Sequence, residues 1–387
     1  MKLKRYVLVA LGLVASLSLF VGCGGGDKAK VAELEAKIQE LQAQLGGGTQ
    51  PGGDATKPVG YGNRLKLVRE RGKILCADNT QSSTWGWIDA DGKNVGFGPD
   101  WCKAYAAMIF GEVTDDNWEI VNITYAERPT VMQSGEIDVM TIANTWTALR
   151  EIQWGNFVNI IHFTGLGIVS SKASGIIPND FKSLEGKTGC TTAGTNYFQM
   201  AADMQKEFGI NFELKGYEAG GARDAYDAGR CDFYLGGSDS NVSFLRQMKI
   251  TKFEDHNVWD SVYGKDPWAM LVPHGDDQWF DLIRMVDWIL VNSEEYGVTQ
   301  ANVEDMAKNS TNTKVLRMLG SEGTWGQDVL TVDQNCAVNV IKAVGNFGEM
   351  FDRWYSLDSE KYGGTFKNRG LDKLWTKGGL LYRPEMT

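Results

Sequence analysis

The chain has 387 residues, 43% of them hydrophobic, and a formal net charge of −10 at pH 7. This length is sufficient for two lobes that each have a hydrophobic core. The acidic balance argues against binding nucleic acid or an anionic membrane surface through bulk charge. With three histidines and no HExxH, P-loop or nucleophile-elbow pattern, the sequence supports no metal site, cofactor, or hydrolytic or nucleotide-driven chemistry.

Residues 1–22 have the features of a secretory signal peptide. Three basic residues precede an apolar stretch, 6–21, that is too short for a comfortable transmembrane span. The following residues resemble the lipobox of bacterial lipoproteins, although Phe20 replaces the usual Leu. This resemblance implies cleavage before Cys23 and a lipid on its sulfur, which would anchor the protein outside the cytoplasm. The alternative is an ordinary signal peptide followed by a chance Cys.

Residues 23–62 are predicted to be a lipidated Cys, a short helix and a flexible linker. Apolar residues within 28–45 follow a heptad pattern, but they cover barely two heptads. The pattern fits either parallel self-association near the membrane or a lone spacer helix. The stretch 46–62 is rich in Gly and contains two Pro, which is typical of a linker.

From residue 63 onwards, predicted strands and helices alternate, which favours a parallel sheet with helices on both faces. The predicted strands are 73–77, 118–123, 187–191, 212–217 and 231–235, with another near residue 137, and the predicted helices are 99–110, 128–134, 197–208 and 222–228.

The two halves of this alternating region share a local pattern. Residues 134–139 and 228–233 each place a Gly at a helix end before a short strand with an early Asp. Two similar α/β lobes suggest a ligand cleft between them, although helix–Gly–strand connections are common.

The predicted organisation is lobe 1 over 63–165, lobe 2 over 166–268, and a return to lobe 1 with a helical extension over 269–387. Apolar segments 166–170 and 268–272 could cross between the lobes. Helical periodicity then predicts helices over 279–291 and 337–351.

Five cysteines follow Cys23, and four of them lie near predicted strand ends or helix starts. One disulfide in each lobe is expected, with the alternative that these are buried thiols. The predicted pairs are Cys76–Cys102 and Cys190–Cys231, which leave Cys336 free.

The stretch 144–150, Asn-Thr-Trp-Thr-Ala-Leu-Arg, follows a predicted strand and leads into a helix. Strand ends in open α/β sheets are where ligands bind, and Arg150 could provide a planar fork for a carboxylate. We therefore expect this loop to hold the acid group of a small molecule. The alternative is a surface Arg that pairs with Glu151.

The body resembles the solute-binding proteins of bacterial amino-acid ABC transporters, and in particular the general L-amino-acid-binding branch of solute-binding family 3. The resemblance implies a type II periplasmic-binding-protein fold, with two α/β lobes joined by a two-strand hinge around a central cleft. It also implies a non-enzymatic protein that binds a small amino acid and delivers it to an ABC permease. The matching stretches are 72–76, 144–150, 225–232, 275–281, 297–303, 344–349 and 374–380.

The resemblance also implies roles for individual residues. Arg150 matches the family's clamp on the ligand α-carboxylate, with Thr145 beside it as a hydroxyl donor. Thr195 matches a Gly-Thr turn whose helix N-terminus meets the same carboxylate, and Asn196 stands where Thr is usual. Trp85 matches an aromatic position that lines the cleft. Thr80 belongs to the same loop, as do Ser82 and Ser83.

The sequence departs from the family pattern where an Asp should pair with the ligand ammonium. That position is Gly237, and Asp239 follows two residues later. A buried cation without a partner is costly, so either Asp239 reaches the site or another group replaces it. Asp78 is one candidate, and cation–π contacts are another. The aromatic candidates are Trp85, Trp87, Tyr125 and Trp146.

Three alternatives remain open from the sequence. One is an altered ligand, such as another small carboxylate or a betaine-like acid. A second is a cyclohexadienyl dehydratase-like lyase on the same fold, with Asp239 or Asp78 as acid or base. A third is a sensory subunit that signals through the heptad segment.

Overall fold

A computed structural model describes residues 62–82, 84–218, 220–237, 255–259, 263–356 and 369–386. The signal peptide, Cys23, the heptad segment, Ser83 and Asp239 lie outside these ranges, so the roles assigned to them stay predictions.

The first part of the chain alternates strands and helices as predicted. Its elements are α1 (Arg64–Arg71), β1 (Ile74–Asp78), β2 (Gln81–Ser82), β3 (Gly86–Ile88), β4 (Asn94–Val95), α2 (Phe97–Phe110), β5 (Trp118–Asn122), α3 (Arg128–Ser134), β6 (Val139–Met140) and α4 (Ala148–Gln153).

The middle part contains the longest strands and the second group of helices. Its elements are β7 (Asn156–Ser171), β8 (Thr188–Thr192), α5 (Tyr197–Phe208), β9 (Glu213–Tyr217), α6 (Gly221–Asp227), β10 (Phe233–Gly237), β11 (His256–Val258) and β12 (Tyr263–Val272).

Helices follow β12. They are α7 (Asp277–Glu295), α8 (Val303–Asn309), α9 (Thr313–Met318), α10 (Gln327–Leu330), α11 (Cys336–Val344) and α12 (Phe347–Tyr355). The prediction of one helix over 337–351 is wrong, because Gly345 interrupts it with φ +82° and Asn346 starts a new helix. The Asn346 side chain accepts from the Glu349 N–H, and the Glu349 side chain accepts from the Asn346 N–H, which forms a capping box.

Nine strands of the described residues form one sheet, in the order β5-β1-β6-β12-β7-β10-β8-β9, with β11 beside β7. β1 is parallel to β5 and β6, and β8 is parallel to β9 and β10. Between these two parallel groups, β7 and β12 run antiparallel, from Val272 opposite Asn156 to Tyr263 opposite Leu166. The sheet therefore has two α/β halves joined by two long strands, as the predicted fold class requires.

Each half has its own hydrophobic core. The larger core combines α2, the first half of the sheet and helices from after β12, with Trp101 and Trp279 fully buried. The smaller core draws on β7, α5 and β10, with Phe233 at its centre. We call residues in and around the larger core the first half and those around the smaller core the second half.

Both predicted disulfides are confirmed. Cys76 on β1 bonds to Cys102 on α2 across a Cα–Cα distance of 6.0 Å, and Cys190 bonds to Cys231 across 5.8 Å. Cys336 is free and buried. One disulfide lies in each half.

The sequence pattern shared by the two halves corresponds to a shared contact. Asp138 Oδ2 accepts from the Leu75 N–H at 2.7 Å, and Asp232 Oδ2 accepts from the Thr188 N–H at 2.8 Å. In each case the Asp that follows the helix–Gly connection holds the start of the first parallel strand of its half.

Within the described residues, the helices are all too short or too polar to span a bilayer. The same residues contain no cluster of three His, Cys, Asp or Glu side chains suited to a metal ion.

Candidate functional site

Arg150 lies in the first turn of α4, where local contacts orient it. The Thr147 hydroxyl accepts from the Arg150 N–H at 3.3 Å and caps the helix. Arg150 Nη1 donates to Thr145 O at 3.2 Å, and the guanidinium carbon lies 4.6 Å from the centre of the Trp154 ring. Arg150 is 8% exposed, and among the described residues its Nε and Nη2 make no further hydrogen bond. The guanidinium is thus held in place with donors left for a ligand.

Asp266 and Tyr197 provide the electrostatic surroundings of Arg150. Burial lowers the pKa of Arg150, while the nearby Asp266 carboxylate and the Tyr197 hydroxyl raise it. Asp266 is fully buried on β12, and Tyr197 is the first residue of α5. Arg150 therefore lies where the first half, a connecting strand and the start of a second-half helix meet.

Arg128 is a second buried arginine that the sequence reasoning did not identify as a site residue. Its Nε donates to Tyr125 O at 2.9 Å, and its Nη1 donates to Ala143 O at 2.9 Å and to Asn144 Oδ1 at 3.2 Å. Its Nη2 donates to Gly194 O at 2.7 Å. Arg128 thus contacts both halves.

The charge on Arg128 is maintained at neutral pH. Burial, followed by repulsion from Arg150, lowers its pKa to about 9. One sequence signal could have identified this residue: a basic side chain in the first turn of a helix opposes the helix dipole. Arg128 occupies the first position of α3, so it needs a compensating environment.

The predicted turn at 194–196 begins α5. Gly194 has φ +75°, and Thr195 Oγ1 donates to Thr192 O at 2.7 Å. Asn196 is half-buried at the N-cap position, and its side chain makes no capping bond to the helix. Tyr197 carries this helix end to both arginines, because its hydroxyl affects the pKa of each. The carboxylate-binding role of Thr195 and Asn196 stays a prediction.

Asp78 lies at the end of β1 and is fully enclosed. Its Oδ1 accepts from the Asn79 N–H at 2.7 Å, and its Oδ2 accepts from Thr141 Oγ1 at 3.2 Å. A Cβ added at Gly98 would be 1.9 Å from Asp78 Oδ2, so the carboxyl group has a close backbone wall. Burial raises its pKa well above the usual range, which favours the neutral acid. A neutral, enclosed carboxyl is a poor partner for a ligand ammonium.

Trp85 and Thr80 lie away from the Arg150 donors in the contacts of the described residues. Trp85 is 2% exposed, its Nε1 donates to Thr141 O at 2.7 Å, and its ring packs edge-on against Trp268 at 5.0 Å. Thr80 Oγ1 donates to Asn122 Oδ1 at 3.4 Å. The packing of Trp85 gives a structural reason for an aromatic residue there, and its ligand-binding role stays a prediction.

The structure also places the remaining aromatic candidates. Trp146 stacks on Phe157 at 5.5 Å, and Trp87 packs against Trp354 at 5.3 Å. The Tyr125 ring already has the Arg128 guanidinium above it at 4.8 Å. Burial raises the pKa of Tyr125 to about 12, so its hydroxyl remains a neutral donor.

Gly237 is the last residue of β10, and it is buried opposite Leu166 of β7. The chain leaves the described residues directly after it, so Asp239 is not placed. The identity of an ammonium partner stays a prediction.

Comparison with known proteins identifies the family. No protein-family model matches the chain. The general L-amino acid-binding periplasmic protein AapJ of Rhizobium johnstonii is 36% identical over 325 residues, which cover 83% of this chain and 92% of AapJ. The chain belongs to the amino-acid-binding periplasmic proteins of ABC transporters.

Two further members of this family agree. The glutamate/glutamine/aspartate/asparagine-binding protein BztA of Rhodobacter capsulatus is 31% identical over 322 residues, covering 83% of this chain and 92% of BztA. A solved ABC transporter periplasmic binding protein from Brucella ovis, with glutathione bound, has a TM-score of 0.78 at 33% identity. The match covers 84% of this chain and 99% of that one.

These matches confirm the predicted family and the two-lobe type II fold of this amino-acid-binding protein. The family also implies a location outside the cytoplasm.

Proposed function

We propose that this protein binds a small L-amino acid between its two halves and delivers it to an ABC permease, without catalysing a reaction. The observation that carries the proposal is the Arg150 guanidinium, which is buried and oriented yet has donors left beside the start of α5. A planar fork of this kind matches a carboxylate. The helix N-terminus at Thr195 and Asn196 would stabilise the same negative charge.

The charge of the site also supports an anionic group on the ligand. Arg128 and Arg150 are both buried, and Asp266 is the carboxylate whose charge raises the pKa of each. Asp78 is held toward its neutral form by burial. A ligand carboxylate would therefore offset positive charge that is costly to leave buried.

A thermal-shift screen of the twenty L-amino acids, betaines, small dicarboxylates and glutathione tests the proposal. Glutathione is included because the Brucella ovis relative contains it. A ligand at 100 times its Kd should raise the melting temperature by about 5 °C or more. Stabilisation by betaines alone would favour the altered ligand, and no stabilisation by any compound would contradict the proposal. Conversion of prephenate or a similar acid would contradict the non-enzymatic role.

We further propose that Asp239 pairs with the ligand ammonium, because Asp78 is enclosed by backbone and favours its neutral form. Asp239→Asn should raise the Kd about tenfold or more, since a buried charge pair loses one partner. Asp78→Asn is the matched control and should leave the Kd within about threefold. Isothermal titration with the best compound of the screen measures both. An unchanged Kd for Asp239→Asn would exclude this pairing.

The anchor completes the proposed arrangement. A lipid on Cys23 would hold the protein at the membrane surface, with residues 28–62 as a helix and linker between anchor and body. Replacement of Cys23 by Ser should release the protein from the membrane fraction.

A further inference from the structure

Arg128 is fixed in the first half by three hydrogen bonds. Its acceptors there are Tyr125 O, Ala143 O and Asn144 Oδ1, and the side chain is 1% exposed. The Trp154 ring lies 5.3 Å from its guanidinium carbon. The direction of the remaining Nη2 donor is therefore set by the first half alone.

This donor meets the backbone of the second half. Arg128 Nη2 donates to Gly194 O at 2.7 Å. The two halves are in close backbone contact at this point, because a Cβ added at Gly194 would lie 2.9 Å from Ala126 N and 3.0 Å from the carbonyl carbon of Tyr125. The glycine thus allows the approach that brings its carbonyl to the arginine.

We propose that Arg128 is a positioning residue that holds the cleft closed, with Gly194 O as its acceptor. This inference rests on the proposed function, because it concerns how long a bound ligand is retained. The acceptor is a backbone carbonyl, so the contact forms only when the turn at 194–196 reaches the first half. A charge-assisted hydrogen bond made only in the closed state stabilises that state and slows opening.

The same contact makes closure sensitive to the ligand. Closing buries Arg128 beside Arg150, and the two positive charges repel each other. Asp266 offsets part of this charge, and a ligand carboxylate on Arg150 would offset more. We therefore expect the contact between Arg128 and Gly194 to stabilise the closed state most when an anionic ligand is present.

Two substitutions test the contact from its two sides. Arg128→Lys keeps the charge but removes the planar fork that joins four acceptors. Gly194→Ala leaves the arginine intact and places a methyl group against Ala126 N.

Each variant has a matched control. Arg284→Lys makes the same change on α7, where Arg284 pairs with Asp281 at 3.8 Å and lies over the Phe280 ring. Gly209→Ala makes the same change at φ +63°, with no heavy atom of the described residues within 4 Å of the added Cβ. It reproduces the backbone strain of Gly194→Ala without a contact to the first half.

Stopped-flow kinetics with L-glutamate, or with the most stabilising compound of the screen if L-glutamate does not bind, measures the effect. Both test variants should increase the dissociation rate constant about tenfold or more and change the association rate constant by less than about threefold. Small-angle scattering should show less contraction on ligand addition than in the wild type. Both controls should behave as the wild type.

Unchanged dissociation rates in both test variants would overturn the inference. If Arg128→Lys lowers the melting temperature of the unliganded protein sharply, Gly194→Ala against Gly209→Ala decides. A wild-type protein that binds no compound of the screen would refute the proposed function, and this inference with it. Wild-type binding with normal release from both variants would refute this inference alone.

Discussion

Replacing Arg150 with alanine is expected to raise the Kd for the bound amino acid about 100-fold or more, because a buried carboxylate would lose its charged partner. The substitution should affect the unliganded protein much less. Arg150 makes one side-chain hydrogen bond within the described residues, to Thr145 O, and otherwise packs on Trp154. A large loss of affinity with a nearly unchanged melting temperature would identify a ligand-binding residue.

Arg150→Lys separates charge from geometry. Lysine keeps a positive charge but lacks the planar fork and the stacking on Trp154, so its Kd should lie between those of the wild type and the alanine variant. Isothermal titration with the best compound of the screen measures all three proteins, and Arg284→Lys controls for the loss of a surface arginine. Wild-type affinity in Arg150→Ala would remove the carboxylate clamp from the proposed function.

The sequence allowed Arg150 to be proposed because the contacts that orient it are local. Thr145, Thr147 and Trp154 lie within five residues of Arg150, so a strand end, a capping Thr and an Arg are visible in one stretch. Arg128 was missed for the opposite reason. Its contact with Gly194 spans 66 positions, and its burial depends on the meeting of two halves. Sequence patterns describe neighbours along the chain, and this contact exists only in the folded protein.

Burial also explains what could not be foreseen at Asp78. As a sequence position it is a polar residue at a strand end, which is a reasonable place for a ligand contact. Its enclosure depends on Gly98 and Thr141, which come from elsewhere in the chain. Whether a strand-end carboxylate faces the ligand or the core is decided by these distant neighbours.

The fold was more accessible than the site. Alternating apolar and polar segments predicted most strands and helices and the two connecting strands, because periodicity reports which face of an element is buried. The strand β7 nevertheless begins at Asn156, ten residues before the predicted crossing segment. Its polar positions, such as His162, are buried by parts of the protein that periodicity does not show.

The Asp shared by the two halves leads to a prediction about stability. Asp138→Ala should lower the free energy of unfolding by about 3 kcal/mol, because it breaks a buried charge network as well as a hydrogen bond. The Asp138 side chain is fully buried, accepts from the Leu75 N–H, and pairs with Arg64 and Arg71. Asp232→Ala should cost about 1 kcal/mol, since Asp232 is half-buried and mainly loses its bond to Thr188.

The two positions serve as controls for each other because both carboxylates accept from the first residues of a parallel strand. Burial raises the pKa of Asp138 despite its arginines, so keeping the charge there is itself costly. Asp138→Asn should therefore retain more stability than Asp138→Ala, because an amide oxygen can still accept from Leu75. Denaturant unfolding of the unliganded proteins measures these differences. Equal losses at Asp138 and Asp232 would show that the strand contact alone matters, and that the buried arginine pairs add no net stability.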